Sequence, residues 1–132
     1  MSVFADSSAL VALLDANDDY HEQAAVLWAS LAQQRESLIT TNYVIVETVA
    51  LVQRRWGLKA VRELQQEFLP LISVEWVKEA EHQAGLEVVI AAGRKDLSFV
   101  DCVSFAVMRR MGIRRCFTFD AHFKEMGFEP LR

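Results

Sequence analysis

Ser2-Val3-Phe4-Ala5-Asp6-Ser7-Ser8-Ala9-Leu10-Val11-Ala12-Leu13-Leu14 opens the chain with a pattern that the rest of it repeats. Ser2 to Ala5 is a short apolar run that stops at an acid, as a buried strand would. Ser7 and Ser8 then carry hydroxyls suited to helix capping, ahead of a helix bearing Leu10, Val11, Leu13 and Leu14. A strand therefore feeds directly into a helix, with Asp6 at the junction.

The same alternation continues outward. Asn17 to Asp19 make a polar turn, and Tyr20 to Arg35 has helical spacing through Ala24, Leu27, Trp28 and Leu31. A second strand, Leu38 to Thr41, ends at Asn42, and Tyr43 to Trp56 is a long apolar helix closed by Gly57. Leu58 to Phe68 is amphipathic and stops at Pro70. A third strand is expected over Leu71 to Glu75, then a helix to about Ala92 with Gly93 as its stop, its continuity weakened by Gly85. After the charged loop Arg94 to Leu97, Ser98 opens a helix from Phe99 to Met111. A fourth strand over Cys116 to Phe119 ends at Asp120, followed by a short helix from Ala121 and a last strand near Phe128 to Leu131. Short, wholly apolar strands alternating with helices predict an α/β fold whose parallel sheet is covered on both faces. In such sheets ligands bind beyond the carboxyl ends of the strands, where the strand order reverses. Asp6 and Asp120 are expected at that end.

The 132 residues suit a single domain, 1–132, with one core. Apolar residues are 52% and charged ones 24%, so a packed globule is expected. No secretory signal or bilayer-length apolar run is read, and a cytoplasmic location without membrane contact is expected. Cys102 and Cys116 lack partners at zinc spacing and read as core residues. The net charge of −4 argues against nucleic acid at first sight. If four acids gather around bound cations, the remaining surface is close to balanced.

Most of the 18 acids sit on polar faces or in turns. Glu47 instead interrupts Val44-Ile45-Val46-Glu47-Thr48-Val49-Ala50-Leu51, and Asp101 interrupts Phe99-Val100-Asp101-Cys102-Val103. A buried carboxylate must be paired, protonated or cation-bound. Arg54, Arg55, Arg94 and Lys95 are available as pairing partners. Positions favour the cation: Asp6 and Asp120 at strand ends, Glu47 early in the second strand's helix and Asp101 early in the helix before the fourth can all reach one crevice. Four carboxylates within a few ångströms repel by several kcal/mol per pair at an effective dielectric of ~20, which divalent cations relieve. An all-oxygen set points to Mg²⁺ or Mn²⁺.

Ser98-x-x-Asp101 also reads as a helix cap, compatible with a metal role. Ser7, Ser8 and Thr118 are placed to orient a carboxylate or a water, beside the plainer readings of capping and strand propensity. Asp96 reads as a solvated loop acid, and His122 as an exposed turn histidine. No Ser-His-Asp or Cys-His set and no phosphate-binding glycine loop occurs. An aspartyl-phosphate phosphatase wants a second acid two residues after Asp6, where Ser8 stands.

With those residues in place, the chain resembles the PIN-domain nucleases, in particular the short bacterial and archaeal toxins of the VapC type. Ala5-Asp6-Ser7-Ser8-Ala9-Leu10 looks like the first family motif, and Asn42 to Val49, with Glu47, resembles the second. Leu97-Ser98-Phe99-Val100-Asp101-Cys102 is similar to the third, and Phe117-Thr118-Phe119-Asp120-Ala121-His122-Phe123 to the fourth. The resemblance covers almost the whole chain. It implies a PIN-like three-layer α/β/α sandwich with a mostly parallel sheet of four to five strands. It also implies an endoribonuclease using Mg²⁺ or Mn²⁺, with Asp6, Glu47 and Asp101 as ligands and Asp120 as a ligand or an outer partner. It further implies a homodimer and an antitoxin whose tail, often through an arginine, covers the site. Arg54, Arg55, Arg109, Arg110, Arg114 and Arg115 are candidate contacts to the RNA backbone, and Trp28 and Trp56 are candidate partner surface. Two other readings stay open: a PIN nuclease of RNA processing or decay that is no toxin, and a catalytically inactive PIN-like binding module.

Overall fold

The computed structural model describes residues 1–132. Its strands are β1 (Ser2–Ala5), β2 (Ser37–Thr41), β3 (Ser73–Glu75), β4 (Arg115–Phe117) and β5 (Glu129–Pro130). Its helices are α1 (Ser7–Leu14), α2 (His21–Gln33), α3 (Asn42–Trp56), α4 (Leu58–Glu63), α5 (Glu79–Ala92), α6 (Phe99–Met111) and α7 (Ala121–Glu125). All five strands are parallel, in the order β3-β2-β1-β4-β5. The chain winds outward from β1 to β3 and then returns to the other side of β1. The reversal therefore falls between β1 and β4, where a crevice opens beyond their carboxyl ends.

Alternation along the central strands separates the two covered faces. Phe4 is the register partner of Cys116, so Phe4 and the next residue of β4, Phe117, point to opposite sides. Trp28 of α2 packs over Phe117, while Phe123 of α7 packs on Phe4 and against Phe105 of α6. Right-handed crossovers produce this three-layer arrangement, since connections running in opposite directions along the sheet put their helices on opposite faces. Phe4, Phe105, Phe117 and Phe123 are fully buried, as are Cys102 and Cys116, whose burial raises both thiols' pKa values, that of Cys116 to about 12.

Several boundaries differ from the sequence reading. Arg35, with φ of 54°, ends α2 two residues early. Leu58 to Phe68 is not one α-helix: it widens into a π turn at Leu64–Phe68 and tightens into a 3₁₀ turn at Leu69–Leu71 around Pro70. That turn delays β3 to Ser73. Strand β5 is only two residues long and lies at the sheet edge: the Glu129 and Leu131 N–H groups donate to the Arg114 (2.8 Å) and Cys116 (2.9 Å) carbonyls, and Pro130 between them sits where the open edge needs no donor.

Gly85, read as a weakness in its helix, is a contact. A Cβ there would lie 2.5 Å from Val103 Cγ2 and 3.1 Å from the Val103 nitrogen. The missing side chain lets α5 lie directly on α6, and α5 is continuous.

Candidate functional site

Strand β4 stops at Phe117, not Phe119, so Asp120 lies beyond the strand end as the N-cap of α7. The cause is local: the Phe119 N–H donates to Ser8 Oγ (2.9 Å) and the Asp120 N–H to Thr118 Oγ1 (3.0 Å), which takes both donors from the ladder. Asp6 immediately follows β1, where its N–H still bonds the Phe117 carbonyl at 3.1 Å. Both acids thus face the crevice at the reversal point.

Asp6 is buried and used unequally by its neighbours. Oδ2 accepts from Ser8 Oγ (2.8 Å), Thr118 Oγ1 (3.0 Å) and the Ser8 N–H (3.4 Å). Oδ1, equally inaccessible, has no donor at all. Burial raises the Asp6 pKa, hydrogen bonds from Ser8 and Thr118 oppose the rise, and the Asp120 charge adds to it.

Asp101 stands in the first turn of α6, where its N–H is capped by Ser98 Oγ at 3.0 Å, as the sequence reading expected. Its carboxyl is nearly inaccessible and its pKa is pushed up to about 7. Burial is the main cause, followed by the charges of Asp6, Asp120 and, more weakly, Glu47. Asp101 therefore feels the charge of the other three acids. Glu47 is half-buried, not enclosed by core: its neighbour Val46 is 67% exposed, and only Val44, Thr48 and Val52 of α3 are buried. Ser7 Oγ donates to Glu47 Oε1 at 2.5 Å, which ties α3 to the β1–α1 junction.

None of the cationic partners available in the sequence, Arg54, Arg55, Arg94 and Lys95, forms an ion pair with the four acids. Arg94 pairs with Asp96 (2.7 Å) and with Glu125. Arg110 pairs with Glu75 (2.8 Å) and Glu81, and Arg115 with Glu36 (2.9 Å). Arg114 and Arg115 open β4, at the opposite end of the sheet from the crevice, and Arg109 caps the Met126 carbonyl and lies over Phe128. None of these five is a free surface charge at the crevice. Trp28 is packed inside against Phe68 and Phe117, whereas Trp56 is exposed.

The residue that the sequence reading undervalued is His122. It is mostly buried, with Nδ1 2.7 Å from Asp120 Oδ1 and 4.0 Å from Asp101 Oδ2. The angle to Asp120 makes this a charge contact without a hydrogen bond. Nε2 lies 3.2 Å from Asp96 Oδ2, so the loop acid read as solvated links the outer edge of the cluster to Arg94. The Asp96 hydrogen bond, with the charges of Asp120 and Asp101, raises the His122 pKa above its usual value. Asp101, Asp120 and His122 each offer a ligand atom, all within 4.8 Å of one another. The signal available in the sequence was the two-residue step from Asp120 to His122 at the start of a helix.

A divalent cation fits this donor set. An orphaned, fully buried carboxylate oxygen on Asp6 and the nearly inaccessible carboxyl of Asp101 stand with two further acids, and no lysine or arginine ion pair reaches any of the four. Hard oxygen donors of this kind suit Mg²⁺ or Mn²⁺.

A parallel sheet with acids gathered at its reversal point defines a class, and the PIN domain family model matches residues 3–129. The chain belongs to the PIN-domain family. It is 35% identical over 131 residues to the 23S rRNA-specific endonuclease VapC20 of Mycobacterium tuberculosis, with 98% of each chain covered. It is 24% identical over 133 residues to a VapC ribonuclease of Aquifex aeolicus, covering 96% of this chain and 93% of the relative. The crystal structure of VapC20, described as a sarcin-ricin loop cleaving toxin, superposes with a TM-score of 0.86 at 34% identity over 98% of both chains. FitAcB from Neisseria gonorrhoeae shares the fold, with a TM-score of 0.71 at 16% identity over 100% of this chain and 97% of that one. The nuclease names of these relatives agree with the activity expected from the four acids.

Proposed function

We propose that the protein is a divalent-metal-dependent endoribonuclease acting as the toxin of a toxin–antitoxin pair. The observation that carries this reading is the buried Asp6 Oδ1, without a donor, beside an Asp101 carboxyl whose pKa is raised to about 7 by its burial and by the other acids. Asp6, Glu47, Asp101 and Asp120 are the ligand set we assign. The family's metal chemistry and the VapC relatives supply the rest.

In this mechanism the chain's own residues do the positioning. Ser8 and Thr118 fix Oδ2 of Asp6 and so leave Oδ1 directed at the cation site. Ser7 holds Glu47 at the near wall, and the Ser98 cap sets the entry of α6 that aims Asp101. When bound, the cation supplies Lewis acidity that makes water a nucleophile near neutral pH and offsets charge on the phosphodiester. His122, held by Asp96 through Nε2, sits beside Asp120 and Asp101 and borders the cation site.

Similarity to a 23S rRNA-specific endonuclease, 35% identical over 98% of both chains, makes 23S rRNA the substrate to test first. An antitoxin segment carrying an arginine would match the acidic crevice. A cytoplasmic homodimer completes the reading, and no helix is long and apolar enough to cross a membrane.

The test is cleavage of 23S rRNA with Mg²⁺ or Mn²⁺, with chelator, and with Asp6→Asn, Glu47→Gln, Asp101→Asn and Asp120→Asn. Loss of cleavage on chelation and in the Asp6 and Asp101 variants is expected. Cleavage that survives either treatment removes the mechanism. Growth arrest on expression, relieved by Asp6→Asn, separates a toxin from a nuclease of ordinary RNA processing.

A further inference from the structure

An aromatic pair beside the acids takes no part in holding them. Tyr20, at the start of α2, stacks on Phe119 with ring centroids 4.7 Å apart and planes within 9°. Phe119 is fixed to the site, since its N–H donates to Ser8 Oγ and its neighbours Thr118 and Asp120 both face the acids. Tyr20 remains 48% exposed.

The loop that carries Tyr20 is already ordered. The Asn17 N–H donates to Asp15 Oδ1 (2.9 Å), the Tyr20 N–H to Asp18 Oδ1 (2.8 Å), and His21 Nδ1 lies 2.7 Å from the Ala12 carbonyl oxygen. A large exposed ring held this way loses little freedom when something stacks on it.

Tyr20 and Phe119 line a cleft of about 340 Å³, with Ser7, Ser8, Val11 and Asp18 among its other walls. Ser7 belongs also to the acidic centre, because its hydroxyl donates to Glu47. The cleft and the acidic centre thus share a wall, since Ser8 likewise donates to Asp6 Oδ2.

Its chemistry selects the occupant. A bound cation would offset charge only at the bond that is cut; beside it the acids and Asp18 repel a phosphate backbone, and Arg94, Arg110 and Arg115 are already held in ion pairs. The flanking nucleotide therefore needs adhesion that does not come from charge. Stacking of a base on an aromatic ring supplies it without a cation and tolerates any base.

The geometry points to a nucleobase subsite in which the Tyr20–Phe119 pair receives an unpaired base of the RNA next to the bond that is cut. This assignment rests on the nuclease reading above. The same pair would also accept an apolar side chain of a protein partner, and the test separates the two.

The experiment uses the full chain and a 23S rRNA fragment in which the wild-type cut has been mapped. KM and kcat are measured for wild type, Tyr20→Phe, Tyr20→Leu and Phe119→Leu. The fragment is then remade with one abasic nucleotide at each position flanking the cut. Tyr20→Phe should behave as wild type, while Tyr20→Leu should raise KM about 5- to 100-fold with a much smaller change in kcat. One abasic position should raise the wild-type KM by a similar factor and leave that of Tyr20→Leu unaltered. A Tyr20→Leu enzyme with wild-type KM, or losses that multiply, overturns the subsite while the nuclease reading stands. A wild-type protein that cuts no RNA removes both.

Discussion

Thr118, just past β4, donates its hydroxyl to Asp6 Oδ2 at the end of β1, 3.0 Å away and 112 positions distant in the chain. The same hydroxyl accepts from the Asp120 N–H at 3.0 Å. One side chain therefore sets the orientation of one acid and the backbone of another across the crevice between the two central strands.

Thr118→Val should keep the fold, since valine is isosteric, and weaken the site. Without that donor Asp6 loses one of the bonds favouring its ionised form, and Oδ1 loses its fixed direction. Outer-partner losses of this kind typically cost 10- to 100-fold in metal affinity. A Mn²⁺ titration of cleavage should show the midpoint moved up by about that factor, with activity regained at excess Mn²⁺ and Thr118→Ser close to wild type. An unchanged midpoint would show that Thr118 does not position Asp6.

The crowding of acids makes a prediction about stability without metal. The Asp101 carboxyl titrates near 7 in the folded chain, through burial and then the charges of Asp6, Asp120 and Glu47, against an ordinary value of 3.8. Between those values the folded state holds a proton that the unfolded chain has released. Stability in chelator should therefore fall as pH rises from about 4 to about 7 and level off above it. The full penalty, on the order of a few kcal/mol, applies at pH 8. The melting temperature in chelator should rise when pH drops from 8 to 5.5, and Asp101→Asn should melt above wild type at pH 8. Added Mn²⁺ should stabilise wild type more at pH 8 than at pH 5.5. A melting curve indifferent to pH across this window would mean that the acids do not crowd.

Strand-to-helix alternation, the parallel sheet and the placement of Asp6 and Asp101 were legible because each rests on a local signal: an apolar run ending at an acid, or a serine three residues before one. Asp120 was legible as an acid near the carboxyl end of β4 but not in its geometry. The end of β4 is decided by hydrogen bonds from Phe119 and Asp120 to side chains, and Ser8, one of the acceptors, lies 111 positions away. The surroundings of Glu47 were misjudged for a related reason. An apolar run such as Val44 to Leu51 shows hydrophobicity but not which face finds a neighbour, and Val46 finds none within the chain. His122 was underread because its burial depends on Asp96 and Asp101 arriving from other parts of the chain.

Gly85 is where packing of the scaffold meets the site. Its helix crosses α6 so closely that a single added methyl would reach 2.5 Å from Val103 Cγ2, and the Val103 backbone stands immediately behind. A rotamer change of Val103 cannot remove the contact with its own nitrogen at 3.1 Å, so the helices must separate. Gly85→Ala gains helix propensity but should still lose about 1–3 kcal/mol overall, because overpacking outweighs the smaller propensity gain. Val103 lies two residues after Asp101 on the same helix, so the separation also moves a carboxylate of the proposed metal site. Urea denaturation should show the midpoint lowered, and a Mn²⁺ titration on the folded variant should show weaker binding. A variant as stable as wild type would mean that α5 and α6 pack with room to spare.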